Sequence, residues 1–211
     1  GGTSFGNVKA VDGVDNIATT VSSNGITVDA VDPVITSLIE ADLTTDWDYQ
    51  GSDSSFIIVW SGNDPASGID YYEYALGTES GSADVVNWTI ANLNTSVTID
   101  SLFLEEDRET YYGSVRATDL AGNTSAAFSG DGVEVDISPP YPGTVIDGTN
   151  EDLVFTGSDT ALTATWEGFN DDISGIAYYE YAIGLSSGTD DVLSWVDNGL
   201  DITLSVDDLD L

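Results

Sequence analysis

The feature that most constrains this chain is an internal repeat. Gly68-Ile69-Asp70-Tyr71-Tyr72-Glu73-Tyr74-Ala75-Leu76-Gly77 returns as Gly175-Ile176-Ala177-Tyr178-Tyr179-Glu180-Tyr181-Ala182-Ile183-Gly184, 107 residues later. Trp88 returns as Trp195, and Leu102 and Leu104 as Leu209 and Leu211, at the same offset. Phe5-Gly6-Asn7-Val8-Lys9-Ala10 matches Tyr112-Gly113-Ser114-Val115-Arg116-Ala117. Asp12 and Asn16 match Asp119 and Asn123, while Gly51-Ser52-Asp53 and Trp60 return at an offset of 106. Self-similarity in colinear order over nearly a whole chain means one supersecondary plan used repeatedly.

Each unit reads as β-structure. Phe56, Ile58 and Trp60 alternate with Ile57 and Val59. Tyr72, Tyr74 and Leu76 share a face, as do Gly113, Val115 and Ala117, with Val97, Ile99 and Leu102 between them and Val133 and Val135 after. The runs are short, β-branched or aromatic, and punctuated by Gly, Asn, Asp and Ser. No window carries a sustained helical period with caps. About seven strands in about 100 residues is the scale of an immunoglobulin-like sandwich. Pro33 and Pro139-Pro140 follow Val28-Asp29 and Val135-Asp136 and mark two joints. Proline fixes φ and cannot donate to a ladder, so it suits short, stiff junctions.

These residues carry a resemblance. Each unit resembles a fibronectin type III domain: Trp60 and Trp166 stand at the buried Trp of strand B, Ile69/Tyr72 and Ile176/Tyr179 fit strand C, and Tyr111, Val115 and Ala117 fit strand F. Asp119-Leu120-Ala121-Gly122-Asn123 is similar to the Asp-x-Ala-Gly-Asn turn of bacterial tandem repeats. The resemblance implies tandem β-sandwiches of about 107 residues, as found in large bacterial surface and secreted proteins, often adhesins. It specifies a fold and not an activity. Ser4 departs from the pattern by replacing the Tyr of strand F, so the tyrosine corner of the first segment is absent or rebuilt.

On that plan residues 1–31 are strands F and G of one repeat, 33–137 a complete sandwich, and 140–211 strands A to E of a further repeat. An open sandwich exposes a core and sheet edges. Two arrangements would complete it. Either the segment is a window in a longer continuous chain, or strands F and G of a neighbouring molecule fill the gap head to tail. No signal peptide opens the chain, as expected of an internal or processed start at Gly1.

Composition sharpens the functional classes. Three basic residues (Lys9, Arg108 and Arg116) face 38 acids, 28 of them Asp, for a net charge of −35. Such a chain does not offset nucleic-acid phosphate or embrace an anionic membrane. Without Cys, Met or His it has no disulfide, thiolate nucleophile, Cys/His zinc site or Ser-His-Asp triad. Hydrophobic residues at 41% and ten Tyr suffice for a core, so the chain is folded and not disordered.

Asp and Asn clusters in turns offer the hard oxygens that calcium prefers. Asp12, Asp15 and Asn16 form one, with Asp119 and Asn123 as its partner. Asn63, Asp64 and Asp70 form a second, opposite Asn170, Asp171 and Asp172. Asp29 and Asp32 at the first joint form a third, with Asp136 at the second joint. Asp190 and Asp191 form a fourth, with Asp84 as its weaker copy. None fits an EF-hand loop. The competing explanation is ordinary Asx turn chemistry, or an acidic surface that keeps the chain soluble. No cofactor is required; calcium is the candidate ion.

Trp88 and Trp195 are candidate stacking platforms for a sugar, against the plainer role of covering a sandwich edge. The adjacent pairs Glu105-Glu106 and Asp171-Asp172 do not suit glycosidase chemistry, since strand neighbours point to opposite faces and loop pairs are solvated. The expectation is a non-enzymatic, extracellular or bacterial cell-surface segment of a filament, stalk or adhesin. Its partners would be other copies of the same repeat. The alternative is an adhesin module that binds a host, cell or glycan ligand.

Overall fold

Strand-forming runs pair into several sheets in the computed structural model, which describes residues 2–106, 110–149 and 151–211. Gly1 and Arg108, which the repeat aligns with each other, lie outside the described residues. The protein is all-β and divides into two units, Gly1–Ile137 and Ser138–Leu211. Among the described residues no helix is long and apolar enough to cross a membrane.

The first unit opens with a hairpin. β1 (Thr3–Ser4) pairs β4 (Ile26–Thr27), and β2 (Asn7–Val8) pairs β3 (Val21–Ser22), all antiparallel. A sandwich follows. One sheet has the order β10–β7–β5, from β5 (Val34–Glu40), β7 (Ser55–Asn63) and β10 (Ser96–Asp100). The other runs β6–β13–β11–β8–β9, from β6 (Tyr49–Gln50), β8 (Ile69–Gly77), β9 (Val86–Asn92), β11 (Thr110–Asp119) and β13 (Val133–Val135). β12 (Phe128–Ser129) also pairs β11. Pairing is antiparallel except for β6 with β13.

Period-two burial explains why these residues form these strands. Phe56, Ile58 and Trp60 of β7 point into the core, and Ile57, Val59 and Ser61 do not. Tyr72 and Leu76 from β8, Val115 and Ala117 from β11, and Val133 and Val135 from β13 meet them from the second sheet. Trp60 and Tyr72 pack edge to face, 5.9 Å apart at 67°. Each Val, Leu, Ile or Phe among them contributes about 1.5–3 kcal/mol by leaving water.

One core residue is a carboxylate. Glu40 ends β5 fully buried, accepting the N–H of Gly113 in β11 and the N–H of Gly132 before β13, the latter at 2.8 Å. It therefore bolts one sheet to the other. Glycine makes the room: a Cβ on Gly130 would lie 1.9 Å from Glu40 Oε2.

The second unit contains β14 (Thr144–Asp147), β15 (Leu162–Glu167) and β18 (Thr203–Val206) in the order β14–β15–β18. β16 (Glu180–Ile183) pairs β17 (Leu193–Asp197). Trp166 and Tyr179 repeat the edge-to-face pair, 5.6 Å apart at 67°. Trp166 N–H bonds Ile202 O at 3.0 Å, as Trp60 N–H bonds Thr95 O at 2.9 Å. Here the apolar face is open. A cleft of about 1220 Å³ is lined by residues including Trp166, Phe169, Tyr179, Ile183, Trp195 and Leu204.

Candidate metal centre

The loops at one end of the sandwich are built on Asp side chains that satisfy backbone N–H groups. Between β7 and β8, Asp64 Oδ1 accepts the N–H groups of Ala66, Ser67 and Gly68 at 3.0, 2.8 and 2.8 Å. Gly68 closes that loop at φ +85°, where a side chain would be strained. At the end of β11, Asp119 Oδ1 accepts Ala121 and Asn123 N–H at 2.9 and 2.8 Å, and its Oδ2 accepts the Asn123 amide at 2.7 Å. After β4, Asp29 Oδ1 accepts Val31 N–H at 3.1 Å, and its carbonyl accepts the Asn123 amide at 3.5 Å.

These three loops converge. One carboxylate oxygen from each of Asp29, Asp64 and Asp119 lies within 4.8 Å of the other two. Asp64 and Asp119 are buried, 7% and 1% exposed, and Asp29 is half-buried. Asp29 Oδ2 and Asp64 Oδ2 are buried and accept no hydrogen bond. The Gly68 N–H leads the donors that hold Asp64 below the usual carboxylate range, against its burial and the charge of Asp119. Burial pushes Asp119 up, but the Asn123 amide and the turn N–H groups outweigh it and hold Asp119 low. The turn donors thus favour charged carboxylates on Asp64 and Asp119, yet among the described residues no Lys or Arg pairs with the trio. Arg116 is engaged elsewhere, bonding Glu73 at 2.7 Å and lying 4.4 Å over the Trp88 ring.

The trio takes one member from each of three sequence clusters and leaves the rest apart. Asp12 copies the Asp119 turn, accepting Val14 and Asn16 N–H at 2.9 and 2.8 Å and the Asn16 amide at 2.7 Å, but it is exposed. The Asn16 amide leads the donors that lower its pKa. Asp15 is exposed in that turn at φ 68°. Asp32, Asn63 and Asp70 are exposed and outside the trio. Asp136 is half-buried, its N–H bonding Gln50 O at 2.9 Å. Asp171 repeats the Asp64 loop, accepting Ile173 and Gly175 N–H at 3.1 and 2.8 Å. Asp172 Oδ1 accepts the Asn170 amide at 2.5 Å. Asp84 and Asp191 clasp equivalent turns through Thr78 and Ser82, and through Leu185 and Thr189; the Ser82 hydroxyl leads the donors that hold Asp84 down at about 2. Asp190 is exposed.

Trp88 is half-buried beneath Arg116, whereas Trp195 is 60% exposed and borders the cleft. A second carboxylate group, Glu40 with Asp46 and Asp131, was not anticipated from sequence. There both Glu40 oxygens already accept backbone N–H groups, so this cluster is a fastening.

Compared with known proteins, the chain matches no family model and no curated sequence.

Proposed function

We propose that this chain is a non-enzymatic structural repeat segment of an extracellular bacterial filament, stalk or adhesin, built from fibronectin type III-like sandwiches. In this reading a hairpin such as residues 1–31 of one molecule closes an open half-sandwich such as 140–211 of the next. One observation carries it: each partner bears a bare apolar face that the central sandwich buries. Val8, Ile26 and Val28 are 71%, 70% and 57% exposed, while their counterparts Val115, Val133 and Val135 are at most 1% exposed. The recipient face is the cleft below Trp166 and Tyr179.

Register and size support the fit. β1–β4 and β2–β3 pair residue for residue as β11 pairs β13 and β12, at the 107-residue offset. Glu40 opposite Ile58 becomes Asp147 opposite Ala164. Gly130, which leaves room for Glu40, becomes Ser23 in the hairpin. A shorter acid facing a larger residue conserves volume across the pair. The fibronectin-like assignment is supported by Tyr111, whose hydroxyl accepts Glu105 N–H at 2.7 Å, the geometry of a tyrosine corner.

Sedimentation velocity over a concentration series tests this reading. Open-ended growth is expected, and Val8→Asp or Ile26→Asp should abolish it. A wild-type chain that stays monomeric at high concentration would overturn head-to-tail assembly. Assembly that persists unchanged in both variants would overturn the hairpin as its donor.

A further inference from the structure

We infer that Asp29, Asp64 and Asp119 form a calcium site that ties the segment after the hairpin to two loops of the following sandwich. The site does not depend on hairpin exchange, because all three residues belong to one compact unit. Two of the three carboxylates are buried, and two buried oxygens, on Asp29 and Asp64, accept nothing. A buried carboxylate oxygen that accepts nothing is costly, and three carboxylates facing one another add mutual repulsion. A bound cation removes both costs.

The donor set selects the ion. All donors are hard oxygens, which suit calcium or magnesium and not softer metals. Two ligands on one calcium at about 2.4 Å can be up to about 4.8 Å apart, whereas magnesium at about 2.1 Å draws them closer and demands near-ideal octahedral geometry. Three oxygens within 4.8 Å of one another can share one ion, and calcium's tolerance of irregular shells suits a donor set drawn from three separate loops. Water and nearby carbonyls would complete its shell of six to eight oxygens.

Each acid does two jobs on two oxygens. Asp64 Oδ1 shapes its loop through three N–H groups, and Oδ2 is left for the ion. Asp29 divides the same way, with Oδ1 on Val31 N–H. Asparagine keeps the loop-shaping oxygen and replaces only the other, so Asp64→Asn and Asp29→Asn should fold.

Calorimetric titration of the full chain with calcium chloride, paired with thermal melts in calcium and in chelator, tests the site. Wild type should show one saturable calcium event, resisted by excess magnesium, and a higher melting temperature in calcium. Asp64→Asn and Asp29→Asn should weaken that event by about tenfold or more, while Asp12→Asn, in the copied but isolated turn, should leave it intact. In chelator Asp64→Asn should still fold but melt somewhat below wild type, because an amide oxygen accepts the three loop N–H groups more weakly than a carboxylate. Absence of saturable binding at millimolar calcium, or equal binding by wild type and both trio variants, would overturn the inference.

Discussion

The hairpin at residues 1–31 and its counterpart at 110–136 share local structure but differ in surroundings. Asp12 and Asp119 each accept two turn N–H groups and an Asn amide with nearly equal distances. Ala18 N–H to Ala10 O and Ser125 N–H to Ala117 O measure 2.8 and 2.9 Å. Yet Val8 is 71% exposed and Val115 is fully buried. About 25 residues therefore suffice to write the turn and the register, and nothing in them writes the burial. A lone two-stranded ribbon is marginal in water. Its apolar face has value only against the strands it would cover.

That contrast can be broken most forcefully at the matched valines. Val115→Asp should destabilise the central sandwich by about 4 kcal/mol or more, through an unpaired buried charge. Val8→Asp should leave its chemical denaturation midpoint unchanged at low protein concentration. Equal losses from both would mean that the hairpin face is already buried in the single chain.

Glu40 provides the next test. Burial first, then the charges of Asp46 and Asp131, push it up to about 7, against the Gly113 and Gly132 N–H groups. Between about pH 4.5 and 7 the folded state thus holds a proton that the unfolded state has released. Glu40's contribution should therefore be largest at or below pH 4.5 and fall by about 3 kcal/mol as pH rises to 7. Urea denaturation across that range should show this limb in wild type and a flatter one in Glu40→Gln. In the open half, the counterpart Asp147 is exposed. Asp147→Glu should weaken self-association, since the longer acid would meet Ser23.

The smallest effect concerns the matched tryptophans. Arg116→Ala should cost about 1 kcal/mol by removing a partly exposed ion pair and the cation over Trp88. Acrylamide should quench Trp195 more readily than Trp88 in chains that retain only one of them. Assembly should then shield Trp195, which borders the cleft.

The all-β class was legible because alternation at Phe56, Ile58 and Trp60 is a local signal. The separate Asp turns were legible for the same reason. The trio was not: Asp29, Asp64 and Asp119 are far apart in sequence, and sorting acids by neighbouring residues placed them in three different clusters. Only strand pairing brings the ends of β7 and β11 beside the segment after β4. Glu40 was missed because a charged residue at a strand end ordinarily faces water. The available signal was parity, since it lies two residues beyond Leu38 on the buried face of β5, together with Gly130 and Gly132 at the position it must reach.

We propose above that the hairpin's apolar face and that of the half-sandwich fit each other. Hydrogen exchange on the full chain, at low and high protein concentration, measures this directly. Amides of Asn7–Val8 and Ile26–Thr27 should gain protection together with those of Glu180–Ile183 as concentration rises, and Val8→Asp should prevent both gains. Protection that is independent of concentration in both segments would contradict this fit.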